Sequence, residues 1–279
     1  MVYLNSHKSM RRIIFLWLLC MATVMSGAQV PEKGRLEAKR KAVPESYNFW
    51  IYTPADYEDD THPLPLVLFL HGASLCGNNL NRVKRYGVLD AIERGKIVPT
   101  LVLAPQNNGG AWNPEKLNRL LQWTEEHYRV DTTRIYVLGM SLGGYGTMDF
   151  VGTYPEKVAA AMALCGGCSL RDMSGLGKLP LWIMHGTADR AVSVKQSQKV
   201  VDYLQENQAD SLLRYDWVQG GSHGILARLF YMQKTYDWLF SHSTKDDPRT
   251  IDRTFDIDIN DIKQSYEELR WFNRMYEND

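Results

Sequence analysis

Gly139-Met140-Ser141-Leu142-Gly143 places a serine between two glycines, directly after the apolar run 135–138. A serine hydroxyl presented on a sharp strand-to-helix turn can attack a carbonyl carbon, and glycines on either side let neighbouring backbone come close. The pattern alone arises by chance on the order of 0.1 times in a chain of this length, so other residues must carry the reading. A hydroxyl near its free pKa is a poor nucleophile. It needs a histidine to accept its proton and a carboxylate to hold that histidine in the correct tautomer.

Of the seven histidines, His185, His223 and His242 follow Ser141. On a sheet of alternating strands and helices the chain order is serine, acid, histidine. His242 sits in a polar Ser-His-Ser run and reads as surface. His185 comes too early to leave an acid its own preceding strand. His223, in Gly220-Gly-Ser-His-Gly224, has the order and the flexible setting. Of the aspartates between Ser141 and His223, Asp189 alone stands just beyond a buried-looking run. Asp149 and Asp202 fall in helix patterns, Asp172 and Asp210 in polar connections, and Asp216 inside a strand pattern. The expected catalytic set is therefore Ser141, Asp189 and His223. The oxyanion that forms on attack needs preorganised donors. The Leu142 N–H, next after the nucleophile, is one; the turn after the third strand, His71-Gly72-Ala73, supplies the Ala73 N–H as the other. His71 itself reads as a structural histidine that shapes this turn.

These residues need a frame that brings them to one edge. The runs 66–70, 100–104, 135–138, 159–164 and 181–184 are apolar without alternation, as strands covered on both faces are. Segment 47–53 reads as an early, partly exposed strand and 213–218 as the last. Helix patterns lie at 82–94, 114–128, 142–154, 193–205 and 225–240. The alternation predicts an α/β fold: a mostly parallel central sheet with helices on both faces, functional groups gathering at the carboxyl ends of the strands.

Composition narrows the partners. Lys and Arg total 32 and Asp and Glu 32 in 279 residues, so no basic excess points to nucleic acid. Lys8, Arg11 and Arg12, then the apolar run 13–25, then Ser26-Gly27-Ala28 read as a secretory signal, too short to span a bilayer. Its removal leaves a mildly acidic chain with no stable membrane span, expected outside the cell or in the periplasm. Cys76, Cys165 and Cys168 then remain. Cys165-Gly-Gly-Cys168 has redox or zinc spacing, but lacks a second such pair or a histidine pair nearby, so structural thiols are expected and no metal.

Phe69-Leu-His-Gly-Ala73, Leu103-Ala-Pro-Gln106, Arg134 to Gly144, Cys165-Gly-Gly167, His185-Gly-Thr-Ala-Asp189 and Ser222-His-Gly224, in this order, resemble the α/β-hydrolase superfamily. Within it the chain is similar to secreted feruloyl and acetylxylan esterases, polyhydroxybutyrate depolymerases and phospholipase/carboxylesterase-like proteins. The resemblance covers roughly 47–240; Leu75-Cys76-Gly77 and the tail beyond Ser241 do not match. It implies an α/β-hydrolase fold, a Ser141-Asp189-His223 triad, no metal and no organic cofactor. The expected organisation is a signal at 1–28, a lead-in at 29–45, the hydrolase domain at 46–243 and an acidic extension at 244–279. In the extension Ile262, Tyr266, Leu269, Phe272 and Tyr276 make one apolar helix face, which would dock on the hydrolase body or on a second subunit. The expected activity is hydrolysis of small-molecule or polysaccharide-linked esters, carbohydrate-linked acyl or feruloyl groups foremost. A serine peptidase of the prolyl-oligopeptidase-like kind and a catalytically silent carbohydrate-binding module are the alternatives. For Gln106 and Trp112 two readings stand: substrate contact, with Trp112 stacking on a sugar or aromatic acyl group, or satisfaction of backbone and ordinary packing.

Overall fold

The computed structural model describes residues 34–59, 61–95, 100–254 and 257–265. The expected signal at 1–28 and tail positions Tyr266, Leu269, Phe272 and Tyr276 lie outside them. The strands are β1 (Arg35–Lys39), β2 (Asn48–Thr53), β3 (Leu64–Leu70), β4 (Leu101–Gln106), β5 (Val130–Met140), β6 (Ala160–Leu164), β7 (Leu181–Gly186) and β8 (Leu213–Val218). They form one sheet in the order β1-β2-β4-β3-β5-β6-β7-β8. β1 and β2 pair antiparallel, as do β2 and β4; every pairing from β4 to β8 is parallel. The α-helices are α1 (Val88–Glu93), α2 (Pro114–His127), α3 (Leu142–Thr153), α4 (Lys195–Glu206) and α5 (Gln233–Phe240).

The continuous apolar runs follow from two-sided burial. Leu66, Leu68 and Leu70 of β3 enter one core layer with Leu117 and Leu121 of α2, Phe150 of α3 and Leu204 of α4. Val67 and Phe69 enter the opposite layer with Val88 of α1 and Trp238 and Leu239 of α5. The two-residue pleat sends alternate side chains to opposite faces, and both faces are covered, so no polar alternation survives. Each fully buried side chain of this kind contributes roughly 1.5–3 kcal/mol.

α2 begins where its sequence directs: the Asn113 side chain accepts the Lys116 N–H at 2.9 Å, and Pro114 occupies the first helical position. Two expected helices are broken. The pattern 82–94 divides into a 3₁₀ turn, Leu80–Lys84, and α1, with Gly87 between them at φ +97°. An ideal Cβ on Gly87 would stand 2.2 Å from Phe69 Cζ, so the chain turns where only glycine fits. The pattern 225–240 divides into a 3₁₀ helix, His223–Tyr231, an extended Met232 and α5. At the break the Thr235 and Tyr236 hydroxyls donate to the Leu229 and Phe230 carbonyls.

Strand β1 falls within 29–45, expected as a polar lead-in. Arg35-Leu-Glu-Ala-Lys39 carries one large apolar residue, and it pairs on one side only, at the sheet edge. His242, expected at the surface, is 6% exposed and lies edge-on to Trp238; burial lowers its pKa to about 4. Past it, Arg249 donates to the Val158, Ala159 and Lys178 carbonyls. Ile257 and Ile262, the latter in the helical stretch 259–265, join the core layer of α5.

Candidate active site

β5 runs straight into Ser141, which sits at φ +59° and ψ −121° before α3 begins at Leu142. A positive φ on a residue with a Cβ is strained, and surrounding structure must enforce it. Here the enforcement comes from close backbone approaches. The Ser141 N–H donates to Leu164 O of β6 at 2.8 Å. A Cβ on Gly139 would lie 2.3 Å from Gly143 O, and one on Gly143 would lie 1.8 Å from Leu70 O. Both glycines of the motif are therefore required by contact with backbone. Leu142 is the first residue of a 12-residue helix, so its N–H has no acceptor in the preceding turn.

The acid and the histidine come from the ends of β7 and β8. The two loops are bonded together: the Thr187 N–H donates to Val218 O, the Ala188 N–H to Gly221 O and the Gly220 N–H to the Thr187 hydroxyl. Their closeness leaves 2.2 Å between an ideal Cβ on Gly186 and Gly221 O. Across this junction Asp189 Oδ2 lies 2.6 Å from His223 Nδ1, with the Asp189 side chain fully buried and the His223 side chain 26% exposed. A carboxylate can only accept, so His223 carries its proton on Nδ1 and leaves the Nε2 lone pair available. Asp189 Oδ1 accepts the Ala191 and Val192 N–H groups at 2.8 and 2.9 Å. Burial opposes ionisation of Asp189, but the His223 hydrogen bond and those two N–H bonds outweigh it and hold the carboxyl below its ordinary range.

Ser141 and His223 are linked through β6, which separates β5 from β7. Leu164 O holds the Ser141 N–H, and the thiol of the next residue, Cys165, lies 4.0 Å from His223 O. On the other side, an ideal Cβ on Gly72 would stand 3.5 Å from Ser141 Cβ, so the turn after β3 lies against Ser141. In that turn Leu75 and Cys76 N–H groups bond back to Gly72 and Ala73 carbonyls. His71 locks it in place. Its Nε2 accepts the Asn107 N–H at 3.1 Å, which leaves Nδ1 as the donor to Gly72 O at 2.8 Å. A neutral ring satisfies both partners, and burial lowers the His71 pKa to about 4.

Trp112 and Gln106, for which two readings stand, are both buried. Trp112 is 3% exposed: its indole N–H donates to His71 O, and its ring packs against those of His71 and Tyr47. Gln106 is 2% exposed and gives its amide hydrogens to the Leu75 and Asn79 carbonyls. Both hold backbone of the loops after β3 and β4, as the packing reading of the two requires. Tyr86, absent from the expected set, accepts the Gly72 N–H at 3.2 Å and lies 3.4 Å from the Ser74 hydroxyl. A lone tyrosine within a helix pattern carries no sequence signal for such a contact.

Among the described residues, Cys165 Sγ and the Asp189 and His223 ligating atoms fall within 4.8 Å of one another. His223 Nδ1 and Asp189 Oδ2 are already spent on each other, and burial raises the Cys165 thiol far above its ordinary pKa. The three do not present a preformed ligand set. Cys76, Cys165 and Cys168 are free thiols, and burial pushes Cys168 up to about 12.

The sheet order, Ser141 on its strained turn after β5, and Asp189 and His223 after β7 and β8 define an α/β-hydrolase. Residues 41–221 match the family model Esterase, and the chain belongs to that family. The bifunctional acetylxylan esterase/xylanase XynS20E of Neocallimastix patriciarum is 24% identical over 179 residues, 59% of this chain and 25% of that protein. The probable acetylxylan esterase A of Aspergillus clavatus is 21% identical over 187 residues, 60% of this chain and 61% of its own. The chain thus spans a quarter and about three fifths of these two relatives. A solved structure, that of a thermostable esterase, superposes with a TM-score of 0.61 at 26% identity, covering 77% of this chain and 64% of that one. Among the described residues no helix is long and apolar enough to cross a membrane.

Proposed function

We propose that this protein is a secreted serine ester hydrolase that works through an acyl-enzyme on carbohydrate-linked acyl esters. The observation that carries the reading is the 2.6 Å contact between His223 Nδ1 and a buried Asp189, on the sheet edge where Ser141 is held at positive φ. Ser141 Oγ attacks the ester carbonyl while His223 Nε2 takes its proton. Asp189 keeps the ring oriented and stabilises the imidazolium. The tetrahedral oxyanion is received by the Leu142 N–H at the head of α3 and by the Ala73 N–H of the turn held by His71. Each donor is worth about 3 kcal/mol in the transition state. His223 then returns the proton to the leaving alcohol, forming the acyl-serine. Water, deprotonated by the same histidine, cleaves it and frees the acid.

Two supports bear on substrate and location. Both relatives described above are named for acetylxylan, an acylated polysaccharide. The basic, apolar and small-residue succession over 1–28 has the form of a cleaved export signal. The hydrolase body then extends from about residue 46 to 243, with the acidic extension after it.

The test is a panel of acetyl, feruloyl and longer-chain esters run beside a peptide substrate, with fluorophosphonate labelling and Ser141→Ala as control. Ester turnover and labelling that vanish together in Ser141→Ala are expected. Equal labelling of wild type and Ser141→Ala, or labelling of neither, sinks the serine-hydrolase reading. Peptide cleavage without ester turnover replaces it with a peptidase. For export, expression in a bacterium with N-terminal sequencing should give a chain beginning at Gln29; an intact Met1 in the exported fraction would contradict cleavage.

A further inference from the structure

His185 is fully buried, four residues before Asp189, at the end of β7. The mechanism above does not use it, yet its ring touches the acid of the catalytic set. Its Nε2 lies 2.9 Å from Val192 O and 3.2 Å from Asp189 Oδ2, the same oxygen that meets His223. Both neighbours of Nε2 are acceptors, so that nitrogen carries a proton. Its Nδ1 lies 2.8 Å from the hydroxyl of Ser197, a buried residue of α4. Burial disfavours a charge on the ring, which makes the neutral Nε2–H tautomer the form that fits, with Nδ1 and Gly166 O as the two acceptors that share the single Ser197 hydroxyl hydrogen.

We infer that His185 is the positioning residue for Asp189. It acts on the carboxylate from two sides. By holding Val192 O it fixes the turn 189–192, whose Ala191 and Val192 N–H groups grip Oδ1. By its direct contact at 3.2 Å it also holds Oδ2, the oxygen that meets His223. The carboxylate is left one orientation, and that orientation aims Oδ2 at His223 Nδ1. Ser197 in turn ties the ring to α4, a rigid element, and its hydroxyl also lies 2.8 Å from Gly166 O, in the loop after β6. The aim of the catalytic acid is thus set from outside its own loop, as productive geometry requires of a group that acts by orienting another.

This inference rests on the serine-hydrolase reading. Its test compares wild type, His185→Phe, His185→Gln and Ser197→Ala, using p-nitrophenyl acetate kinetics and the ¹H NMR resonance of the His223 Nδ1 proton. A short hydrogen bond to a carboxylate moves that proton downfield whether or not substrate turns over. His185→Phe fills the space but removes the donor: kcat should fall at least tenfold with KM within twofold, and the downfield resonance should shift or broaden. His185→Gln, whose amide can donate to Val192 O and Asp189, should recover most of both. Ser197→Ala should give a smaller loss in the same direction. Unchanged kcat and an unchanged resonance in His185→Phe overturn the inference. Equal losses in His185→Phe and His185→Gln also overturn it, since a donor then makes no difference. If His185→Phe fails to fold, the Ser197→Ala resonance decides: a shift upholds the inference and none overturns it. A wild type that turns over no ester in the panel defeats the underlying reading instead, and the two failures are told apart by that measurement.

Discussion

Acidification should unfold this protein partly through one histidine. His71 is buried between the Asn107 N–H and Gly72 O, and its pKa is lowered from 6.5 to about 4. In the unfolded chain the ring takes up a proton near pH 6.5; in the folded chain it refuses one until about pH 4. Across that window the unfolded state binds more protons, so stability is full above pH 6.5 and is lost as pH falls. The whole gap is worth about 3 kcal/mol, of which about 2 kcal/mol has gone by pH 5. Against the roughly 5–15 kcal/mol that holds a domain together, this is a large share. The assay is urea unfolding at pH 7 and pH 5 for wild type and His71→Gln, which keeps an acceptor and a donor but does not titrate. The variant should be less stable at pH 7, yet lose about 2 kcal/mol less than wild type between the two pH values. Every other titrating group is common to both proteins and cancels in the difference. Equal losses would refute the claim that His71 is held neutral by burial. A refolding-competent wild type should also lose ester turnover with the same midpoint as it unfolds, because the turn after β3, which lies against Ser141, hangs on the protonation state of this ring.

Three further outcomes are expected. Gly143→Ala places a Cβ 1.8 Å from a β3 carbonyl, and neither backbone can yield cheaply, so the variant should lose more than the roughly 1–3 kcal/mol of ordinary overpacking; a melting temperature near that of wild type would count against the close approach. Trp112→Ala should cost about 3–5 kcal/mol in denaturant unfolding, whereas Trp112→Phe should leave KM for small and sugar-linked esters alike unchanged; a rise in KM confined to sugar esters would restore a substrate role. Cys165→Ser and Cys168→Ser should keep turnover, and iodoacetamide should leave both wild-type thiols unmodified at neutral pH because burial keeps them protonated; turnover as low as that of Ser141→Ala would assign them to the chemistry.

How much was legible in the sequence depends on whether a residue's partners are set by chain order or by tertiary contact. The central strands are readable because burial on both faces leaves unbroken apolar runs, and the strand ends that carry Ser141, Asp189 and His223 could be located from those runs. The strained turn at Ser141 is readable because its two glycines flank it locally. β1 is not: an edge strand with a solvated side needs few apolar residues, and Arg35-Leu-Glu-Ala-Lys39 reads as polar. Both broken helices kept helical periodicity across the break. Gly87 and the hydroxyl bonds at Leu229 and Phe230 interrupt the backbone without disturbing the apolar pattern. His242 misled for the opposite reason, since its polar neighbours in sequence say nothing of the Trp238 ring that covers it. Trp112 and Gln106 stand where substrate contacts are plausible, but whether they point up to solvent or down under the loops is a matter of tertiary placement. Tyr86 and His185 act through partners far off along the chain or folded back onto it, for which spacing offers no signal.

The backbone bonds that join the loops after β7 and β8 restrict how such an enzyme can diverge. Because Thr187, Ala188 and Gly220 are stitched to the facing loop, an insertion in either one would displace Asp189 relative to His223 and break their 2.6 Å contact. The pair is therefore held as one unit. Variation in substrate preference is then channelled to the opposite flank of Ser141, where Ser74 is exposed and Cys76 half-buried; Gly109 and Gly110 nearby are held at positive φ and would tolerate little besides glycine. A library meant to change which ester is cleaved would do best to randomise that flank and leave the joined loops untouched.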